Sequence, residues 1–296
     1  MVRRRDFLKL AVGGSLAFGA GKAVDNTVMG YDKNLVSQNL EAVVDEEFGV
    51  PDERTTAVEA DDAPAEATED LSAVESGDYA FEFHDFDSFF DRADHAGVET
   101  RPRTVDALRG DFGEVPVETV RDFSGSDPRH PHDFLVSLRD VFAERTAYDT
   151  PRYVAGAVTD NILRRRLSLR PYLEDDVSYD ALISREGSQE RDTPRLFCFE
   201  YHYRAAEGLH SVPAYEQDVP VLAATVRDHR HKHVYTGVAT VVRAPSESPE
   251  LRVPMTFIDY KYTTLRHDLR LTRIGDGLNA YNSWHRADAV EWSRRT

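Results

Sequence analysis

Lysine is nearly absent from this chain: only Lys9, Lys22, Lys33, Lys232 and Lys261 occur in 296 residues. The 36 basic residues are therefore almost all arginine, and they face 53 acidic ones, for a formal net charge of −17. A surface of that sign repels polyanions, which argues against nucleic acid or anionic lipid as a partner. Cysteine is reduced to Cys198, which excludes an internal disulfide. No apolar run reaches the roughly 20 residues that a bilayer core requires, so no stable span is expected in the body of the chain. The patterns GxGxxG, GxSxG, HExxH and CxxC and the P-loop are all missing, so nucleotide-binding, serine-hydrolase and zinc-finger chemistries lack support. What is present is a 41% apolar, 10% aromatic composition, sufficient to bury a core.

The N-terminus has the opposite charge. Arg4-Arg5-Asp6-Phe7-Leu8-Lys9 precedes a short, Gly- and Ala-rich apolar run from Leu10 to Gly21, with small residues at Ala20 and Ala23. This order resembles the twin-arginine export signal, with one departure: Arg3 stands where that signal usually has Ser or Thr. The resemblance implies a signal peptide over residues 1–23, the twin-arginine translocase as a partner during export, and an extracytoplasmic protein, secreted or held at the cell surface. With no cysteine near the cleavage region, the lipoprotein form of such a leader is excluded. The acid-rich, lysine-poor remainder resembles proteins of halophilic archaea. In molar salt the Debye length falls to about 3 Å, which screens the self-repulsion of so many carboxylates.

From residue 24 to 78 the chain is polar and acidic, most densely in "VEADDAPAEATEDLSAVESGD" from Val58 to Asp78. This composition predicts a largely disordered, solvated linker. Aromatics return at Tyr79, where a single globular domain over 79–296 is expected to begin. Tyr79–His84 reads as a strand and Asp87–His95 as a helix. "PHDFLVSLRDVFAER" carries Phe134, Leu135, Leu138, Val141 and Phe142 on a helical stripe, with Pro131 suited to the first turn. Another helix is expected from Thr150-Pro151, ending at Arg164–Arg166, whose charges suit a helix C-terminus. The stretch 173–193 reads as loop with one short helix. "LFCFEYHYR" then alternates, placing Phe197, Phe199, Tyr201 and Tyr203 on one face of a strand and Leu196, Cys198, Glu200 and His202 on the other. Further strands are expected at 219–227, 233–243 and 255–263, divided by segments such as "RAPSESPELRVP", and a helix at 268–287, broken near Gly275-Asp276-Gly277. The fold class is therefore α+β: N-terminal helices, then an antiparallel sheet, then a C-terminal helix.

Two constellations bear on chemistry. His229, His231 and His233 alternate in "RDHRHKHVYTG". On an extended strand, neighbouring rings lie about 6.6–7 Å apart and the outer pair about 13 Å apart, so two rings can share an ion and three cannot. A zinc ion there needs a further ligand from another strand, Asp259 or His202. Without one, the segment is an exposed polar turn. The second constellation is Cys198, His233 and Asp259. Their chain order resembles that of transglutaminase-like thiol hydrolases, in which a histidine activates the cysteine and a carboxylate orients the imidazole. That family sets its cysteine at a helix N-terminus. Here the alternation puts Cys198 in a strand, beside Glu200, which disfavours a second negative charge. The aromatic face from Phe197 to Tyr203 is alternatively core or a binding platform. The leading functional expectation is an exported binding or cell-surface interaction protein with an unidentified ligand. The alternative is an exported hydrolase, metal-dependent through His229, His231 and His233, or thiol-dependent through Cys198, His233 and Asp259.

Overall fold

The structure is a computed structural model that describes residues 65–94, 97–109, 115–149, 152, 155, 177–184, 193–228, 233–244, 248–260, 277–278 and 289–291. The arginine-paired leader, residues 24–64 and the histidines His229 and His231 lie outside the described residues; of the helix expected after Thr150-Pro151, Arg152 and Ala155 are described, both helical, and its Arg164–Arg166 end is not. The described chain is α+β, with seven helices among these residues and a largely antiparallel sheet. The helices are α1 (Ala65–Ser76), α2 (Phe86–Ala93), α3 (Pro102–Leu108), α4 (Val117–Ser124), α5 (Pro131–Arg145), α6 (Tyr179–Ser184) and α7 (Cys198–His210). The strands are β1 (Tyr79–Phe83), β2 (Glu99–Thr100), β3 (Ala147–Tyr148), β4 (Arg195–Leu196), β5 (Leu222–Asp228), β6 (His233–Ala239), β7 (Val242–Ala244), β8 (Ser248–Asp259), β9 (Gly277–Leu278) and β10 (Ala289–Glu291).

The sheet is organised around β8. One edge of β8 pairs antiparallel with β6, Thr236 opposite Ile258, and further along with β7, Val242 opposite Arg252. Pro254 lies opposite the break between those two strands, where a missing N–H costs no ladder bond. The other edge takes β1 in parallel, Tyr79 opposite Leu251, and β9 at Ile258 and Asp259. β5 pairs along β6 from Leu222–Ala239 to Asp228–His233, with β10 beyond it.

Strand alternation divides the buried side chains between two faces. Ala223, Val238 and Ile258 join α5 and α7 in a core with Phe134, Leu138, Phe142, Tyr201 and Leu209. Leu222, Val226, Val253 and Met255 join α1 and α3 in a second core with Leu71, Val74, Val105 and Leu108.

Several helix boundaries follow from local chemistry. Asp85 caps α2 by accepting from the Ser88 N–H at 2.9 Å. Pro131 occupies the first turn of α5, whose span is the one its sequence stripe predicts. Gly125 ends α4 with φ of 70°, a conformation that favours glycine.

Three expectations are corrected. Residues 65–76 are not solvated linker but α1, which buries Ala67, Leu71 and Val74 and also Asp70, whose carboxylate accepts from Arg101, Thr104 and Arg243. Residues 248–254, expected to separate strands, form the first half of β8. The segment 198–203, expected to be a strand, is the start of α7. The aromatic alternation of 197–203 is overridden by a helical stripe that continues past it: Cys198, Tyr201, His202, Ala205, Ala206 and Leu209 are all buried. Of the closing helix expected at 268–287, only Gly277–Leu278, at its expected break, is described, and those two residues are a strand.

Candidate active site

The redrawn element puts Cys198 at the first position of α7, 4% exposed. The N–H groups of Cys198 and Phe199 have no carbonyl four residues earlier in the helix to bond, so this end of α7 is the positive end of its dipole. The preceding residue, Phe197, is extended (ψ of 165°), and its N–H donates to Glu200 Oε2 at 2.5 Å, closing the first turn. The expectation that Cys198 lies in a strand, away from any helix N-terminus, is therefore corrected.

His233 opens β6 and Asp259 closes β8, and both are 2% exposed. His233 Nε2 lies 2.7 Å from Asp259 Oδ2, and Cys198 is near enough to the same imidazole to favour its protonated form. Burial by itself would push His233 down. The charge and hydrogen bond of Asp259, with those of Cys198, outweigh that and hold the imidazole well above the usual histidine range. The arrangement is thus a sulfur at a helix N-terminus, an imidazole held towards its protonated form, and a carboxylate fixing the ring's far nitrogen. It can separate charge between sulfur and nitrogen without unpairing any member.

Comparison with protein-family models, with curated proteins and with solved structures finds no match to this chain.

The other expected members of the site are placed elsewhere. His202 does not face His233: its Nδ1 lies 3.0 Å from Thr236 Oγ1 and its Nε2 2.7 Å from Thr225 Oγ1. Thr225 and Thr236 are directly opposed across β5 and β6, so this ring pins α7 to the sheet. Burial, with Arg227 nearby, lowers its pKa to about 3, so it is neutral, one nitrogen donating and one accepting. Glu200 turns to Arg152, not to the thiol. His229 and His231 lie outside the described residues. Their sequence neighbour His233 is committed to Asp259, and no group of three side chains suited to holding a metal occurs among the described residues.

Sequence reasoning missed Arg152 and Asp149. The Arg152 guanidinium hydrogen-bonds Glu200 Oε2 and lies over the rings of Phe197 and Phe199, at 5.2 and 5.9 Å. The Arg152 N–H donates to Asp149 Oδ1 at 3.0 Å, and the Asp149 N–H donates to the Leu196 carbonyl at 2.9 Å. Nothing in "AYDTPRYVAG" signals these roles, because the partners lie some fifty residues away.

Proposed function

We propose that the chain is a thiol-dependent acyl-transfer enzyme, a hydrolase of amide, ester or thioester bonds, exported under its arginine-paired leader. The observation that carries this reading is the placement of buried Cys198 at the first turn of α7 beside the buried His233–Asp259 pair. With its proton held by His233, Cys198 Sγ attacks the acyl carbon, and a C–S bond forms with a negative oxygen beside the first-turn N–H groups. The oxyanion collapses, the C–X bond breaks, and the leaving group takes the proton from His233. Water then attacks the thioester while the now neutral His233 accepts its proton. The C–S bond breaks, the acid departs, and the sulfur is again paired with protonated His233. Asp259 keeps the ring oriented throughout and stays ionised. Phe199, adjacent in sequence to the nucleophile, is 37% exposed, so the solvent boundary passes between residues 198 and 199.

Of the aromatic residues expected to form one face, Tyr201 lies in the core, while Phe199 packs against Phe197 and Tyr203 with ring centroids 5.5 and 5.7 Å apart.

Iodoacetamide applied to the folded chain in concentrated salt tests the reading. A nucleophilic Cys198 is alkylated under native conditions, and His233→Ala slows that reaction by roughly 10²-fold or more at neutral pH. A thiol that reacts only after denaturation overturns the assignment.

A further inference from the structure

We propose that Arg152 is a positioning residue for the Cys198 sulfur: its guanidinium neutralises the Glu200 carboxylate that closes the first turn of α7. The inference rests on the thiol-enzyme reading and adds a component that reading does not contain.

Glu200 has two opposing effects. By accepting the Phe197 N–H at 2.5 Å it fixes the turn from which Cys198 projects. It also sets a negative charge two residues from a sulfur that must itself become negative. Both Glu200 and Arg152 have side chains 9% exposed, so water screens this repulsion poorly. Arg152 hydrogen-bonds the very oxygen, Oε2, that accepts from Phe197, so the cap is kept while its charge is cancelled. The guanidinium is held in place from three sides. The Phe197 and Phe199 rings lie against it, the Arg152 backbone N–H donates to Asp149 Oδ1, and Asp149 Oδ2 is 3.7 Å from Arg152 Nε.

The elements that meet at this end of α7 carry further charged and titratable groups. α7 supplies Glu200 and the neutral His202. β6 supplies His233, β8 supplies Asp259, and β5 supplies Asp228, in register with His233, and Arg227, near His202. The chain after β3 supplies Asp149 and Arg152. Among these, Arg152 is the cation bonded to Glu200.

The test is the pH profile of Cys198 alkylation by iodoacetamide in the folded, full-length chain, with variants at both residues. Arg152→Met leaves Glu200 uncompensated and moves the midpoint upward, so that below it alkylation is roughly tenfold slower than in the unmodified chain. Arg152→Lys keeps the charge and the original midpoint. In the double variant Arg152→Met/Glu200→Gln the midpoint returns towards the original, because the glutamine can still accept from Phe197 without carrying charge. If Arg152→Met is too unstable to assay, the lysine and double variants carry the test. A lysine variant with a raised midpoint, or a double variant that fails to recover, overturns the proposal. So does an Arg152→Met chain that melts lower yet titrates as before, which would make the residue merely structural. A wild-type chain whose thiol is inert until unfolded sinks the enzyme reading itself, an outcome distinct from reactive sulfur that is indifferent to Arg152.

Discussion

Two buried histidines lie at opposite ends of their titration range. His233 is held well above the ordinary value by Asp259 and Cys198 against the pull of burial, whereas His202, buried between two threonine hydroxyls, is depressed to about 3. Their effects on stability have opposite signs. Between pH 6.5 and about 3 the unfolded chain binds a proton at residue 202 that the folded chain refuses, so stability falls as pH is lowered through that window. Above pH 6.5 the folded chain holds a proton on His233 that the unfolded chain releases. That contribution, complete below pH 6.5, is lost as pH rises through the raised folded value. His202→Gln, which keeps a donor and an acceptor for Thr225 and Thr236, is expected to flatten the acid limb by up to about 1.4 kcal/mol per pH unit while leaving the alkaline limb alone. Urea midpoints measured from pH 4 to pH 9 check this. An acid limb unchanged in the variant would place its origin elsewhere.

The helix α7 is where sequence and structure part company, and the cause is the length of chain examined. Over residues 196–203 large aromatics alternate with smaller or polar side chains, a period-two signal. Extended to Leu209, the same residues show the 3.6-residue stripe that wins because it buries Tyr201, Ala205 and Leu209 against α5 and the sheet. Cys198, His233 and Asp259 were legible as residue types in chain order. The helix N-terminus at which Cys198 sits was not, since no Ser, Thr, Asp or Asn marks the cap and Phe197 provides no side-chain oxygen. By contrast α5 was legible throughout, because Pro131 and an unbroken stripe agree. The Arg152–Glu200 pair was illegible because tertiary ion pairs leave no periodicity.

One further residue of α7 is fixed by close approach. A Cβ at Gly208 would meet Phe134 Cζ at 2.4 Å and the Tyr179 hydroxyl at 2.7 Å. Gly208→Ala is therefore expected to cost roughly 1–3 kcal/mol, despite alanine's better helix propensity. Thermal melting decides between these effects, and a stabilised variant would contradict the packing described here.

At the scale of the molecule, the domain begins earlier than the composition of residues 24–78 suggests. An acidic run such as "EATEDLSAVES" reads as solvated because its apolar residues are few. Yet Leu71 and Val74 suffice once Asp70 is satisfied by Arg101, Thr104 and Arg243, drawn from α3, its N-terminal flank and β7. Among the described residues no helix is long and apolar enough to cross a membrane. The two faces of the sheet thus serve different ends: α1 and α3 cover one, and α5 and α7 cover the other. At the N-terminus of α7 the first residue lies beside His233 at the start of β6 and Asp259 at the end of β8, the junction for which thiol chemistry is proposed. Its most direct measurement is mass spectrometry of the intact chain after mixing with an activated ester such as p-nitrophenyl acetate. The predicted result is a hydroxylamine-labile acetyl adduct mapped to Cys198, absent from Cys198→Ala and formed roughly 10²–10⁴-fold more slowly in Asp259→Asn. An unmodified thiol in folded protein, or an adduct formed as fast without Asp259, would contradict it.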